Sequence, residues 1–164
     1  MKKKSQRGTI SPRSGYERGL GLLARREHSA RELKAKLSAR GHAGDEANGA
    51  IERLQQQDYQ SDTRFAASVA RQRSSQGYGP RRIQAELRSH GLADATIRAV
   101  IEELQVDWIA SAAAQLRRRH GARVALEAAE RAARAAFLLR RGFDPATVRA
   151  VTRAEVDDPG EELD

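Results

Sequence analysis

The sequence predicts an all-α protein of three tandem three-helix repeats, stacked into an elongated, curved molecule. Residues 83–104 repeat residues 33–54 at a constant offset of 50 positions, with apolar residues and glycines in register. A weaker third copy follows 51 positions later, at Leu138, Gly142, Val148 and Val151. No stretch shows the alternation typical of a β-strand. Repetition at this period is typical of stacked helical units, which usually present a surface to a large partner and seldom enclose a catalytic pocket.

The first repeat has clear helix boundaries. A first helix is predicted over residues 16–26. Ser29 and Glu32 then fit the S-x-x-E capping box, in which the two residues satisfy each other's free backbone N–H groups. Gly41 stands where a left-handed residue ends a helix, and a third helix is predicted from Asp45.

The second repeat shows the same signals. Asp62 is predicted to cap its first helix. Pro80 suits the first position of the middle helix, because the missing N–H of proline costs nothing there. Gly91 is predicted to end that helix, and Asp94 to cap the last one.

The third repeat is predicted to be longer by about six residues. Its capping residue Asp107 lies 45 positions after that of the second repeat, whereas Gly142 lies 51 positions after the equivalent glycine. We place the extra residues in a long alanine-rich helix over residues 122–140. The predicted inward face of this helix contains Leu126, Ala129, Ala133, Ala136 and Phe137.

The predicted organisation is a disordered basic arm, three repeats and an acidic tail. The ranges are 1–15 for the arm, 16–60, 61–106 and 107–155 for the repeats, and 156–164 for the tail. The formal net charge is +8, and it is unevenly distributed. Residues 108–154 hold ten arginines against three acids, whereas the last ten residues hold six acids and no base. The basic segments indicate an anionic partner, and the acidic end could shield the basic third repeat when no partner is bound.

Composition and motifs argue against catalysis and cofactors. The chain has no cysteine, which excludes disulfides and thiolate chemistry. None of its four histidines lies four residues from another, so we expect no metal site. Its glycine-containing loops lack the lysine of a phosphate-binding loop, so no cofactor and no catalytic residue are predicted. We expect a cytoplasmic monomer that does not enter a membrane.

Two motifs resemble those of a known family. Residues 59–66 (YQSDTRFA) and 77–87 (GYGPRRIQAEL) closely resemble the central signature of the RecX family, and residues 26–37 (REHSARELKAKL) resemble its first-module motif. The resemblance covers residues 20–104 well and the third repeat loosely. It implies a non-enzymatic helical protein that binds the recombinase RecA, chiefly as its filament on single-stranded DNA. By blocking filament growth or promoting disassembly, such a protein lowers ATP hydrolysis, strand exchange and co-protease activity of RecA.

Two groups of side chains are candidate contacts with this partner or with DNA. The first surrounds the loop and middle helix of the second repeat: Arg71, Arg73, Tyr78, Arg81, Arg82 and Arg88. The second lies in the third repeat: Arg117, Arg118, Arg119 and Arg123. The alternative interpretation is that these arginines pair with carboxylates of the same chain, as the i, i+4 spacing of Arg82 and Glu86 allows.

The alternative function is direct binding to DNA without RecA. Weak direct contact with DNA is compatible with a RecA regulator, whereas tight binding at physiological salt favours DNA as the main target. A helical scaffold for some other partner is a third possibility.

Overall fold

A computed structural model describes residues 13–153 of the 164-residue chain. Within this range the protein forms nine α-helices and no β-strand, which confirms the predicted all-α class. The helices are α1 Gly15–Leu23, α2 Ala30–Ser38, α3 Asp45–Gln56, α4 Asp62–Ser75, α5 Pro80–Ser89, α6 Asp94–Glu103, α7 Trp108–His120, α8 Ala128–Arg140 and α9 Pro145–Thr152. Most of the predicted basic arm and the whole predicted acidic tail lie outside the described residues.

Side-chain caps define where the first two helices begin. Ser14 and Glu17 form a complete capping box at α1: Ser14 Oγ accepts from the Glu17 N–H, and Glu17 Oε2 accepts from the Ser14 N–H at 2.8 Å. Ser29 caps α2 as predicted, with its Oγ 3.1 Å from the N–H of Glu32. The first helix ends at Leu23 and is shorter than the prediction over residues 16–26.

Three hydrophobic clusters explain the repeated sequence positions. The leucines Leu37, Leu87 and Leu138 occupy the same repeat position, and all three are completely buried. Each lies in a different cluster, formed by α1–α3, by α4–α6 and by α7–α9. The repeat in the sequence is therefore a repeat of the packed core. Each predicted helix-ending glycine, at Gly41, Gly91 and Gly142, has a φ between 80° and 88°.

The helices form two compact units, and the boundary lies between Ser61 and Asp62. The first unit contains α1–α3, and the second contains α4–α9. Within the second unit, Trp108 packs against the clusters of both α4–α6 and α7–α9, and its ring centroid lies 6.5 Å from that of Phe143. The second unit therefore has two adjoining cores. The predicted elongated, curved outline of the whole molecule stays a prediction.

The chain between α7 and α8 departs from the prediction. Helix α7 ends at His120, residues 121–127 are not helical, and α8 begins only at Ala128. Leu126, predicted to face inward, is 80% exposed. Part of the extra length of the third repeat is therefore a non-helical connection.

The buried face of α8 also differs from the predicted one. Its buried residues are Arg134, Ala135 and Leu138, whereas Ala129 and Ala133 are exposed. The alanines of α8 lie on most of its faces, so hydrophobicity alone does not select which face is buried. The burial of Arg134 is compatible with its charge because its guanidinium donates to Arg123 O at 2.9 Å and to Glu130 Oε1 at 2.8 Å.

No helix between residues 13 and 153 combines the length and the apolar character that a membrane-spanning segment requires.

Candidate partner-binding surface

Two loops of the second unit are joined backbone to backbone. The first follows α4 and the second follows α8. The Gly79 N–H donates to Arg141 O at 2.8 Å, and the Arg81 N–H donates to Gly142 O at 3.0 Å. A Cβ added at Gly79 would lie 2.3 Å from Gly142 O, and one added at Gly142 would lie 2.4 Å from the Cβ of Arg82. The two backbones therefore approach so closely that both positions require glycine.

Arg141 reinforces this junction with its side chain. Its Nε donates to Gly77 O at 2.9 Å, and its Nη2 donates to Gln76 O at 2.7 Å. Both carbonyls lie just past the end of α4, where a cation interacts favourably with the helix dipole. Sequence reasoning missed Arg141. The available signal was its place immediately before Gly142, which corresponds to His90 before Gly91 in the second repeat.

The same guanidinium connects two aromatic rings. The ring of Tyr78 lies 4.6 Å from Arg82 Cζ and 4.8 Å from Arg141 Cζ, measured from the ring centroid. The ring of Phe137 lies 4.6 Å from Arg119 Cζ and 5.6 Å from Arg141 Cζ. These five side chains form a continuous arginine–aromatic surface. It brings together members of the two predicted groups, which are separate in the sequence.

The arginine–aromatic surface can bind carboxylates or phosphates. A guanidinium has five N–H donors in a planar fork, and it keeps donors for an anion while it rests against a ring. Arg82 and Arg119 are exposed, and neither forms an ion pair within the described part of the chain. Cation–π contact restrains both side chains, which lowers the entropy lost when an anion binds.

Four of the predicted contact arginines are instead paired with carboxylates. Arg73 binds both carboxylate oxygens of Glu86, each at 2.7 Å. The others pair Arg81 with Asp144 at 2.8 Å, Arg88 with Asp94 at 2.8 Å, and Arg123 with Glu130 at 3.0 Å. The alternative interpretation was that the predicted contact arginines pair with carboxylates of the same chain. It describes these four arginines better than it describes Arg82 and Arg119.

The Arg73–Glu86 ion pair stabilises the loop that contains Tyr78. Hydrogen bonds from Arg73 lower the pKa of the Glu86 carboxyl, and the same bonds raise the pKa of Arg73. The pair links α4 to α5 across the loop that carries Tyr78. Arg73 lines the same pocket as Tyr78 and Arg82, and thus lies beside the arginine–aromatic surface.

The remaining predicted arginines are exposed and point in different directions. Arg71, Arg117 and Arg118 are exposed and make no ion pair among residues 13–153. The three consecutive arginines of α7 are about 100° apart around the helix. Arg119 consequently rests on Phe137, whereas Arg117 lines a groove beside residues 121–127.

The motif at residues 26–37 has a structural role in the first unit. The buried His28 O accepts from Gln60 Nε2 at 3.2 Å, and Ser29 caps α2. Glu32 contacts Arg26, with Oε2 3.2 Å from Nη1, and lies 3.1 Å from His28 Nδ1. Burial raises the pKa of Glu32, but the contacts with Arg26 and His28 outweigh burial and lower it to about 2. Burial, in turn, lowers the pKa of His28.

The described residues contain no group of three or more His, Asp or Glu side chains placed to hold a metal ion.

Comparison with known proteins gives two consecutive family matches. Residues 16–54 match the family model described as RecX, first three-helix domain, and residues 61–101 match RecX, second three-helix domain. A regulatory protein RecX of Xanthomonas campestris pv. campestris is 46% identical over 142 residues, covering 87% of this chain and 88% of the relative. The chain belongs to the RecX family. A regulatory protein RecX of Stenotrophomonas maltophilia is 43% identical, with 87% of each chain covered.

Solved RecX structures share the fold. The crystal structure of RecX from Lactobacillus salivarius matches with a TM-score of 0.70 and 21% identity, covering 85% of this chain and 92% of that one. A second crystal structure of a regulatory protein RecX matches with a TM-score of 0.71 and 21% identity, covering 86% and 70%. The resemblance seen in the sequence is confirmed. Tyr78 and Arg82 lie within the second RecX domain match, whereas Arg119, Phe137 and Arg141 lie beyond both domain matches.

Proposed function

We propose that this RecX-family chain binds RecA, chiefly as its filament on single-stranded DNA, and restrains it without catalysing a reaction. It would block filament growth or promote disassembly, and so lower ATP hydrolysis, strand exchange and co-protease activity of RecA. The likeness to regulatory proteins RecX over 87% of the chain supports this proposal, because the family resemblance implies RecA as the partner. We further propose that the protein is a cytoplasmic monomer.

The arginine–aromatic surface is the observation from which we propose particular residues as contacts with the filament. A nucleoprotein filament presents carboxylates on its protein and phosphates on its DNA, and guanidinium groups bind both. Arg82 and Arg119 are restrained, exposed and not paired with a carboxylate in the part of the chain that the structure describes. They are therefore our proposed contacts with the filament, with Tyr78 and Phe137 as their supports.

The test is DNA-dependent ATP hydrolysis by RecA. We expect the intact protein to inhibit hydrolysis at substoichiometric levels. The double variant R82Q/R119Q should require about thirtyfold more protein for the same inhibition, since each lost charged contact removes on the order of 1 kcal/mol of binding. The matched control R98Q changes an exposed arginine of α6 and should inhibit like the unmodified protein. Unchanged hydrolysis at a several-fold excess of intact protein over RecA would reject the proposal.

Direct DNA binding remains the second candidate function. It is favoured by the exposed Arg71, Arg117 and Arg118, which have no carboxylate partner among the described residues. Titration of single-stranded DNA alone over a salt series separates the two functions. Tight binding at physiological salt would favour DNA as the target, whereas weak binding would favour the protein filament.

A further inference from the structure

A groove of about 840 Å³ lies in the second unit. Its walls are the end of α7, the non-helical residues 121–127, α8 and the end of α9. None of the five side chains of the arginine–aromatic surface lines this groove. The proposed contacts with the filament therefore do not account for it.

The groove is cationic. The charged residues of its described lining are all arginines: Arg117, Arg123, Arg131, Arg134 and Arg153. Glu130, nearby, balances two of them through ion pairs, with Arg123 at 3.0 Å and with Arg134 at 2.8 Å. The groove therefore keeps an excess of positive charge. An anionic group that enters it is attracted from several walls at once.

Two arginines at the rim are able to form new ion pairs. Arg117 and Arg153 are exposed, and neither pairs with a carboxylate among residues 13–153. Arg117 lies in the last turn of α7 and Arg153 directly follows α9, so they belong to two different walls. A guanidinium binds a carboxylate through two parallel hydrogen bonds. The rim therefore offers separate contacts to two carboxylates.

The wall formed by residues 121–127 is held in place by α8. Arg131 Nη1 donates to Leu126 O at 2.6 Å, and Arg134 Nη1 donates to Arg123 O at 2.9 Å. These two arginines hold the wall and add positive charge to it. Because the wall is fixed before a partner arrives, less conformational entropy is lost when one binds.

Large apolar side chains lie in the same lining. Val124 is 72% exposed and Leu126 is 80% exposed, and both line the groove. An inorganic anion would leave them in water. An aliphatic side chain placed against them removes apolar surface from water. The groove therefore favours a ligand that carries both carboxylates and an aliphatic side chain.

The lining suits a peptide better than a nucleic acid. Sites for single-stranded nucleic acid combine basic side chains with aromatic rings on which the bases stack. No aromatic residue is among the described residues that line the groove. Val124 and Leu126 offer aliphatic contact in place of a ring. Charge and lining together therefore point to an acidic peptide.

We propose that this groove binds a short acidic segment of another protein. One carboxylate of the segment pairs with Arg117 and another pairs with Arg153, while an aliphatic side chain covers Val124 and Leu126. The complementarity of charge selects this occupant, because the described lining carries only positive charge. The site is separate from the arginine–aromatic surface, and this inference does not depend on RecA being the partner.

The test is nuclear magnetic resonance of the full-length protein, with no RecA present. The ligand is the peptide acetyl-EDLDE-amide, which places four carboxylates around one leucine. Its addition should shift the methyl resonances of Val124 and Leu126 until the groove is saturated. The methyl groups of Ile109, an exposed residue of α7 outside the groove lining, should keep their positions.

The affinities from this titration identify the charged contacts. The variant R117Q/R153Q should bind the peptide about threefold to tenfold more weakly, because two exposed ion pairs are lost. The matched control R71Q/R98Q removes the same charge from exposed positions on α4 and α6, and should weaken binding by less than about twofold. Equal weakening by the two variants would overturn the proposal, since net charge alone would then explain binding.

A second peptide, acetyl-EDSDE-amide, tests the apolar contact. The intact protein should bind it about fivefold more weakly than the leucine peptide. The variant L126S should lose this preference, with the methyl groups of Val124 as the probe. Leu126 is mostly exposed, so the substitution leaves the core intact. Equal affinities of the two peptides for the intact protein would contradict the apolar contact.

Other occupants of the groove give different results. A thymidine oligonucleotide that shifts the methyl groups of Val124 and Leu126 more than the peptide does, at equal concentration, would make the groove a nucleic-acid site. Shifts that follow protein concentration without any peptide would assign it to a second copy of this chain. Either result, or the absence of a saturable shift at millimolar peptide, would sink the proposal while leaving inhibition of RecA untouched.

Discussion

At the residue scale, Arg141 combines three contacts that no other described side chain of the second unit combines. It donates to the carbonyls of Gly77 and Gln76, it lies against the ring of Tyr78, and it reaches Phe137. Its backbone carbonyl also accepts from Gly79. One residue thus connects the end of α4, the loop of the second repeat and α8.

Replacement of Arg141 by alanine should destabilise the second unit by roughly 1–3 kcal/mol, because two charged hydrogen bonds and a cation–π contact are lost. Urea unfolding measures the change. The neighbouring Arg140 is exposed and is the last residue of α8, so R140A is the matched control and should change the free energy of unfolding by less than about 0.5 kcal/mol. Equal effects of the two variants would contradict the bridging role of Arg141.

Glycine at position 79 is required for steric reasons. Its φ of −81° is available to any residue, but an added Cβ would lie 2.3 Å from a backbone oxygen that cannot move alone. We therefore expect G79A to lower the free energy of unfolding by roughly 1–3 kcal/mol. Gly49 lies in α3 with nothing within 4 Å of an added Cβ, so G49A should stabilise by about 0.5–1 kcal/mol. In thermal unfolding we expect G79A to lower the melting temperature and G49A to raise it. A stabilising G79A would disprove the close backbone approach.

At the element scale, the start of α2 makes the first unit sensitive to acid. Glu32 has a pKa of about 2 in the folded protein, below its ordinary value of 4.5. The unfolded chain therefore binds this proton more readily, and the stabilisation is present above pH 4.5 and is lost as the pH falls toward 2. His28 acts in the same direction, because burial lowers its pKa below 6.5 and protonation below that pH favours the unfolded chain.

The variant E32Q should flatten the pH dependence of stability between about pH 4.5 and 2, and it should be less stable than the unmodified protein at pH 7. Urea midpoints measured from pH 7 down to pH 3 provide the comparison. The control E52Q alters an exposed glutamate of α3 and should keep the original pH profile. If E32Q and the unmodified protein lost stability in parallel, another group would be the cause.

The connection between α7 and α8 shows how side chains replace helical hydrogen bonds. Gly121 ends α7 with a φ of 69°. In the segment that follows, Arg123 O accepts from Arg134 and Leu126 O accepts from Arg131 at 2.6 Å. Arginines of α8 thus satisfy carbonyl oxygens that a longer helix would have bonded internally. The same arrangement leaves Val124 and Leu126 exposed at the groove.

At the scale of the whole molecule, the charge is large and unevenly distributed. The net charge is +8, yet the charged residues among the last ten are all acidic. Attraction between exposed charges is screened over about 8 Å at physiological ionic strength. Binding to a nucleoprotein filament or to DNA should therefore weaken steeply as salt is added.

Removal of Arg82 and Arg119 should reduce that salt dependence. For single-stranded DNA, each phosphate contact contributes about 0.7 to the slope of log K against log salt concentration. We expect R82Q/R119Q to lower the slope by up to about 1.4 if both arginines contact phosphates, whereas R98Q should leave it unchanged. Fluorescence anisotropy of a labelled oligonucleotide gives the slopes. An unaltered slope in the double variant would mean that neither arginine contacts the DNA phosphates.

The sequence by itself determined the helical class, most helix boundaries and the repeated core. These features depend on local signals: apolar spacing, a capping serine such as Ser29, and a glycine such as Gly41 or Gly91 at a helix end. It also carried the motifs of the RecX family at residues 26–37, 59–66 and 77–87. Each of these signals comes from residues that are close together in the sequence.

Only the tertiary structure decided which arginines pair with carboxylates and which, among the described residues, are exposed without such a pair. Arg81 finds Asp144 at a separation of 63 residues, and Arg141 reaches Gly77 and Gln76 at separations of 64 and 65. Arginine side chains are long and flexible, so their partners depend on how closely two backbones approach. The contact between Gly79 and Gly142 sets that approach in the second unit. The buried face of α8 was decided in the same way, because an alanine-rich helix leaves the choice of face to the residues packed against it.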